Sequence, residues 1–186
     1  MSSSQWKTLT VHRIVELIED LEVNSHAQVH GPADQEDQDR WFFVVPRTTN
    51  AFDNVESQAY AGIYIDDNLD RWCAATFRFP SGFTSLVHVH PVLVTGGTGN
   101  LYRRHAGSHA GNGELYDAHT TTGAMATEAV TISVMTELAD ISAFIAGAGI
   151  NDYIGVNFRR DGSDLLDTVN SGIMFYGWLV EYVADM

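Results

Sequence analysis

From Trp41 onward the chain is a succession of short apolar or alternating segments, each ended by Gly, Asp, Asn or Pro. This rhythm directs it to an all-β architecture. Strands are expected from Trp41 to Val45, Tyr60 to Ile65, Trp72 to Phe79, Thr84 to Val94, Leu101 to Arg104, Val130 to Met135, Tyr153 to Arg159 and Ile173 to Val183. Cys73, Ala75, Phe77 and Phe79 share one face of their segment, as do Val130, Ile132 and Val134, and Ile154, Val156 and Phe158. Each of these strands should therefore have one wet face. The last segment is apolar on both faces and should lie centrally or in an interface. A short helix is expected between Asp140 and Gly147, with Asp140 as its cap and Ile141, Phe144 and Ile145 facing inward. Strands do not alternate with helices, so a parallel α/β sheet is excluded. The predicted fold is all-β: a single jelly-roll barrel or sandwich with an N-terminal helix and one or two short crossover helices.

The 186 residues suffice for one well-packed core and are short for two. Residues 1–40 read as an N-terminal helix followed by a polar linker, and residues 41–186 as the jelly-roll domain. Between Thr10 and Val23 the residues Val11, Ile14, Val15, Ile18 and Leu21 recur at helical spacing, with Glu16, Glu19, Asp20 and Glu22 elsewhere on the wheel. That stripe needs cover from its own barrel or from a neighbour, and its five residues are the interface candidates. The tract from His105 to Glu128, rich in Gly, Ala, His and Thr, is expected to be a loop or contact arm that builds no core.

Charge narrows the setting. One lysine, Lys7, and nine arginines stand against 24 carboxylates, 15 of them Asp, for a net charge of −14. Such a surface suits concentrated salt, where the Debye length falls to ~3 Å at 1 M and acidic self-repulsion is screened. The adjacent cations are Arg103 with Arg104 and Arg159 with Arg160, which make no basic stripe, so direct nucleic-acid binding is not expected. The single Cys73 excludes an internal disulfide framework and reads as a small buried hydrophobe. No signal sequence or transmembrane span is recognisable, and a soluble chain is expected.

The sharpest chemical signal is Gly82, five intervening residues, then His88-Val89-His90. It resembles the first half of the cupin signature, and places His88 and His90 on one face of a strand. The chain then departs from that pattern: Val92, Leu93, Val94 and Thr95 stand where a Glu would be needed, and no second motif follows. The pair is read as sheet-surface or interface histidines, with no metal and no cofactor, and a cupin-like metal-dependent enzyme using His88 and His90 stands as the alternative. Thr95-Gly96-Gly97-Thr98-Gly99 lacks a following helix and a Lys, and reads as a hairpin turn rather than a phosphate loop. Ser108 lacks a nucleophile elbow. Asp152, Asp161, Asp164 and Asp167 match no calcium loop and read as solvated surface. No catalytic residue is assigned.

Acidic composition, a β-rich body, an N-terminal helix and the absence of catalytic motifs converge on one resemblance. It is strongest from Trp72-Cys73-Ala74-Ala75-Thr76-Phe77-Arg78-Phe79-Pro80 to Gly177-Trp178-Leu179-Val180-Glu181-Tyr182. The chain resembles the smaller major capsid proteins of haloarchaeal icosahedral viruses with an internal membrane, the sphaerolipovirus-like group. The resemblance implies a structural, non-enzymatic subunit with an upright single jelly roll. It implies dimers with itself and with a second related capsid protein, grouped into pseudo-hexameric capsomers over an internal viral membrane. The expected location is the virion, after a soluble stage in the host cytoplasm.

Overall fold

The computed structural model describes residues 38–48, 54–57 and 60–185. The expected helix from Thr10 to Val23, with Val11, Ile14, Val15, Ile18 and Leu21, lies outside the described residues. Twelve strands are present among those described: β1 (Gln38–Val44), β2 (Arg47–Thr48), β3 (Asn54–Ser57), β4 (Tyr60–Ile65), β5 (Asp70–Phe77), β6 (Phe83–Thr95), β7 (Gly99–Ala110), β8 (His119–Thr122), β9 (Ala126–Val130), β10 (Met135–Glu137), β11 (Tyr153–Asp161) and β12 (Ile173–Ala184). One 3-10 turn, Ser142–Ile145, is the only helical element among them.

The strands form two antiparallel sheets, consistent with a β sandwich. The first runs β10-β6-β12-β4-β3, with β1 also on β12; the second runs β2-β5-β11-β7-β8, with β9 also on β7. β6 borders β12 along its whole length, so β1 and β4 follow one another along its other edge. β12 is therefore central, as its two apolar faces require. A bulge after Phe175 keeps both Phe175 and Trp178 facing inward. At that bulge Gly177 has φ +142°, and a Cβ there would stand 2.1 Å from the Val44 carbonyl oxygen. Only glycine lets β1 approach so closely.

Alternation holds in the interior. Cys73, Ala75, Ile154, Val156 and Phe158 of the second sheet face Val89, Leu93, Phe175, Trp178 and Val180 of the first. Phe158 and Phe175 stack across the sandwich with ring centroids 4.5 Å apart, and Trp178 meets Phe175 edge-on at 4.9 Å. Burying each such side chain contributes roughly 1.5–3 kcal/mol.

Four expectations are corrected. The Val130 to Met135 segment is not one strand: β9 pairs with β7 in one sheet and β10 with β6 in the other. Passage between sheets breaks the extended chain at Ser133, φ 59°, and leaves Ile132 and Val134 exposed. The 105–128 tract is not a loop throughout, since β7 continues to Ala110 and buries His105 and His109. Small residues suit it because the 3-10 turn lies directly on the strand, where a Cβ on Gly107 would be 2.6 Å from Ile145 Cγ2. The Gly-rich turn after Thr95 is no hairpin, because β6 and β7 belong to different sheets. Asp167 is not solvated surface but buried, paired with Arg160.

The helical turn near Asp140 is present in shorter form. Asp140 accepts the Ser142 backbone N–H at 2.9 Å and the Val89 N–H at 2.8 Å, and so ties the turn to β6. Among the described residues no helix is long and apolar enough to cross a membrane.

Candidate functional site

On β6 the inward Val89 and Leu93 are fully buried, which turns His88, His90 and Val94 to the outside of the first sheet. Register then lines up three rows across that outer face. Tyr64 of β4, Met174 of β12, Val94 of β6 and Met135 of β10 make one; Phe43, Leu179 and His90 make the next; Trp41, Glu181 and His88 make the third. Trp41 is 54% exposed, Phe43 44% and Met135 47%. The face is thus apolar across five strands, β1, β4, β12, β6 and β10, with a polar corner at the two histidines.

Asp140 completes that corner. His88 Nδ1 lies 3.1 Å from Asp140 Oδ2, and the His88 and His90 rings are 5.4 Å apart at 46°. His90 Nδ1 lies 2.9 Å from the Leu138 carbonyl oxygen. The hydrogen bond to Asp140, with smaller help from the Glu181 charge, raises the pKa of His88. Burial pushes Asp140 up, but the Val89 and Ser142 amides, His88 and the Ser142 hydroxyl outweigh it and hold the carboxyl at about 2. The histidines were legible in the sequence by their spacing. Asp140 is expected from the sequence only as a helix cap; the turn's N-cap is instead Ile141, with no side-chain cap, and the Asp140 carboxylate accepts the Ser142 amide from one residue earlier while it meets His88. Since both rings stand outside the sandwich, they do not line an interior pocket between the sheets.

The remaining histidines of the described chain serve the second sheet. His109, buried, stacks on His119 at 4.5 Å and lies 3.3 Å from Asp152 Oδ2, while His119 Nε2 is 3.6 Å from Glu114. The His105 ring packs beside Phe158, and burial followed by the Arg103 charge, against a weaker pull from the Asn157 backbone, pushes its pKa down to about 3. Asp152 also accepts the Gly149 N–H, Asp161 accepts from Ser163, and Asp164 accepts the Leu166 N–H. These three carboxylates stabilise turns, and the structure does not bring them together as a cation site.

Three of the four adjacent arginines are likewise spent on structure: Arg103 pairs with Glu128, Arg159 with Asp70 and Arg160 with Asp167. A shallow depression of about 180 Å³ on the outside of the second sheet is floored by Ala74, Thr76, Ala106, Ser108 and Gly155 and has no titratable side chain in its lining. Comparison with protein-family models, with curated proteins and with solved structures found no match to the chain.

Proposed function

We propose that this chain is a jelly-roll subunit of an icosahedral capsid, built to pack side by side with copies of itself and with a related chain in concentrated salt. The observation that carries the reading is the outer face of the first sheet, where Trp41, Phe43, Tyr64 and Met135 are exposed together with Met174, Val94 and Leu179 between them. A contiguous apolar sheet face of this kind marks an interaction surface, and its spread over several strands suits a neighbouring subunit better than a small molecule.

Strand order supports the jelly roll. With β1 and β4 taken as one interrupted strand, and β8 and β9 as another, eight strands fall into two groups of four. They run β1/β4-β12-β6-β10 and β5-β11-β7-β8/β9. Successive strands pass from sheet to sheet except between β7 and β8/β9, which are neighbours in the second sheet, and this order supports two Greek keys. The net charge of −14 supports a shell that holds together only where salt screens its subunits. Residues 1–37, with the Val11 to Leu21 stripe, would add a second contact in such a shell, and the internal membrane would lie beneath it.

Electron microscopy and light scattering of the full chain in molar salt, alone and with its partner chain, test the reading. Wild-type protein is expected to form dimers or larger capsomers, and Trp41→Asp with Phe43→Asp to stay monomeric with unchanged circular dichroism. A wild type that is monomeric at every concentration and salt would overturn the proposal.

A further inference from the structure

We propose that His88, His90 and Asp140 form a binding site for a divalent transition-metal ion on the outer face of the first sheet. One donor atom from each of the three residues lies within 4.8 Å of the others. A tetrahedral ion with bonds of about 2.0–2.2 Å holds its ligand atoms about 3.4 Å apart. Closing that difference takes a side-chain adjustment of His88, whose side chain is 48% exposed and already hydrogen-bonded through Nδ1 to Asp140. The other two ligands are already held in place.

His90 Nδ1 and the Leu138 carbonyl oxygen, 2.9 Å apart, form a hydrogen bond only if Nδ1 carries the proton. Nε2 is then left with its lone pair, the arrangement by which protein carbonyls orient metal-ligating imidazoles. Asp140 is fixed through Oδ1 by the Val89 and Ser142 amides and through Oδ2 by the Ser142 hydroxyl at 2.7 Å. Its Oδ2 is the oxygen turned to His88. Two imidazoles with one carboxylate select zinc and its first-row neighbours over calcium or magnesium, which prefer oxygen ligands alone. Glu181 faces His88 across the β12–β6 ladder and adds negative charge beside the site. Three protein ligands leave a position for water or for a side chain of an adjoining molecule. The inference stands apart from the capsid reading, since it concerns only ligands within one chain.

Cobalt(II) is the probe, titrated into chelator-treated full-length protein in molar salt and followed by its visible d–d bands, with zinc added as competitor. One equivalent is expected to bind and to be displaced by zinc. His88→Gln and His90→Gln are each expected to weaken binding at least tenfold, whereas His119→Gln, in the other histidine pair, leaves it unchanged. X-ray absorption of the zinc-loaded wild type should show two imidazole nitrogens and carboxylate oxygen, a readout that needs no variant. No bands at stoichiometric cobalt, an affinity that survives the double His88→Gln, His90→Gln change, or a zinc shell without imidazole would each overturn the assignment.

Discussion

Arg160 and Asp167 form a two-pronged ion pair from which water is wholly excluded, with Nε and Nη2 each 2.9 Å from a carboxylate oxygen. The guanidinium also donates to the carbonyls of Val169 at 2.7 Å and Ser171 at 2.9 Å. Asp167 in turn accepts the Tyr102 and Val169 amides. One charge pair thereby fastens the 162–172 connection to β11 and to the start of β7.

Removing one member strands the other in the interior, which costs about 3–5 kcal/mol. Asp167→Ala is expected to lower the melting temperature by about 10 °C, at roughly 2–4 °C per kcal/mol for a chain of this size. Asp70→Ala breaks the more exposed pair with Arg159, worth about 0–1 kcal/mol. Thermal melts of both variants at one salt concentration decide the matter; equal losses would contradict the role given to Arg160.

Gly107→Ala tests the contact between β7 and the 3-10 turn. The new methyl would overlap Ile145 Cγ2 and the Phe144 carbonyl oxygen, 2.6 and 2.7 Å away. Overpacking of this kind costs about 1–3 kcal/mol. Chemical denaturation should show a lower midpoint with an unchanged slope, and a wild-type midpoint would mean that the turn does not rest on Gly107.

His105 predicts an acid response. Its folded pKa of about 3 lies below the ordinary histidine value, so between those two pH values the unfolded chain takes up a proton that the folded chain refuses. Stability from this group is full above pH ~6.5 and declines as pH falls toward 3, by up to about 1.4 kcal/mol per pH unit. His105→Leu removes that slope, because the buried side chain no longer titrates. Denaturation at pH 7 and pH 5 should show the wild type losing more stability than the variant; parallel losses would rule out a buried neutral imidazole.

Cys73 is fully buried, and burial pushes its thiol pKa upward, which leaves little thiolate to react. A disulfide reagent at pH 8 should label the folded chain only as fast as it unfolds, and the denatured chain at once. Labelling of the folded protein at the denatured rate would place the thiol on the surface.

Salt should govern association before it governs folding. Lowering ionic strength from molar to ~0.01 M extends the Debye length from ~3 to ~30 Å, so the acidic subunits of the proposed shell would begin to repel. Light scattering and circular dichroism during dialysis should record dissociation no later than loss of strand signal. Assemblies that keep their size in dilute salt would contradict the link between composition and packing.

The strands were legible wherever a wet and a dry face alternate, as in Cys73 to Phe79 and Ile154 to Phe158, because burial on one side writes period two into the chain. β7 was half missed because its inner face is covered by a turn rather than by large side chains, which leaves Gly107 where a strand pattern calls for bulk. The break at Ser133 was hidden, since Val130, Ile132 and Val134 keep the alternation while the chain changes sheets. His88 and His90 show themselves by spacing, but Asp140 stands 52 residues from His88 in sequence and meets it only through folding. Asp167 reads as surface charge in the sequence, for no composition records which of 24 carboxylates will be withdrawn from water.

The central place of β12 bears on when the molecule can fold. The first sheet has β1 and β4 along one side of that strand and β6 along the other, so it lacks its middle until residues 173–184 have been synthesised. Almost every pairing in it joins segments far apart in sequence, a topology that folds slowly and late. A growing chain therefore cannot present the Trp41–Phe43 surface in its finished form before β12 has emerged and paired with β1.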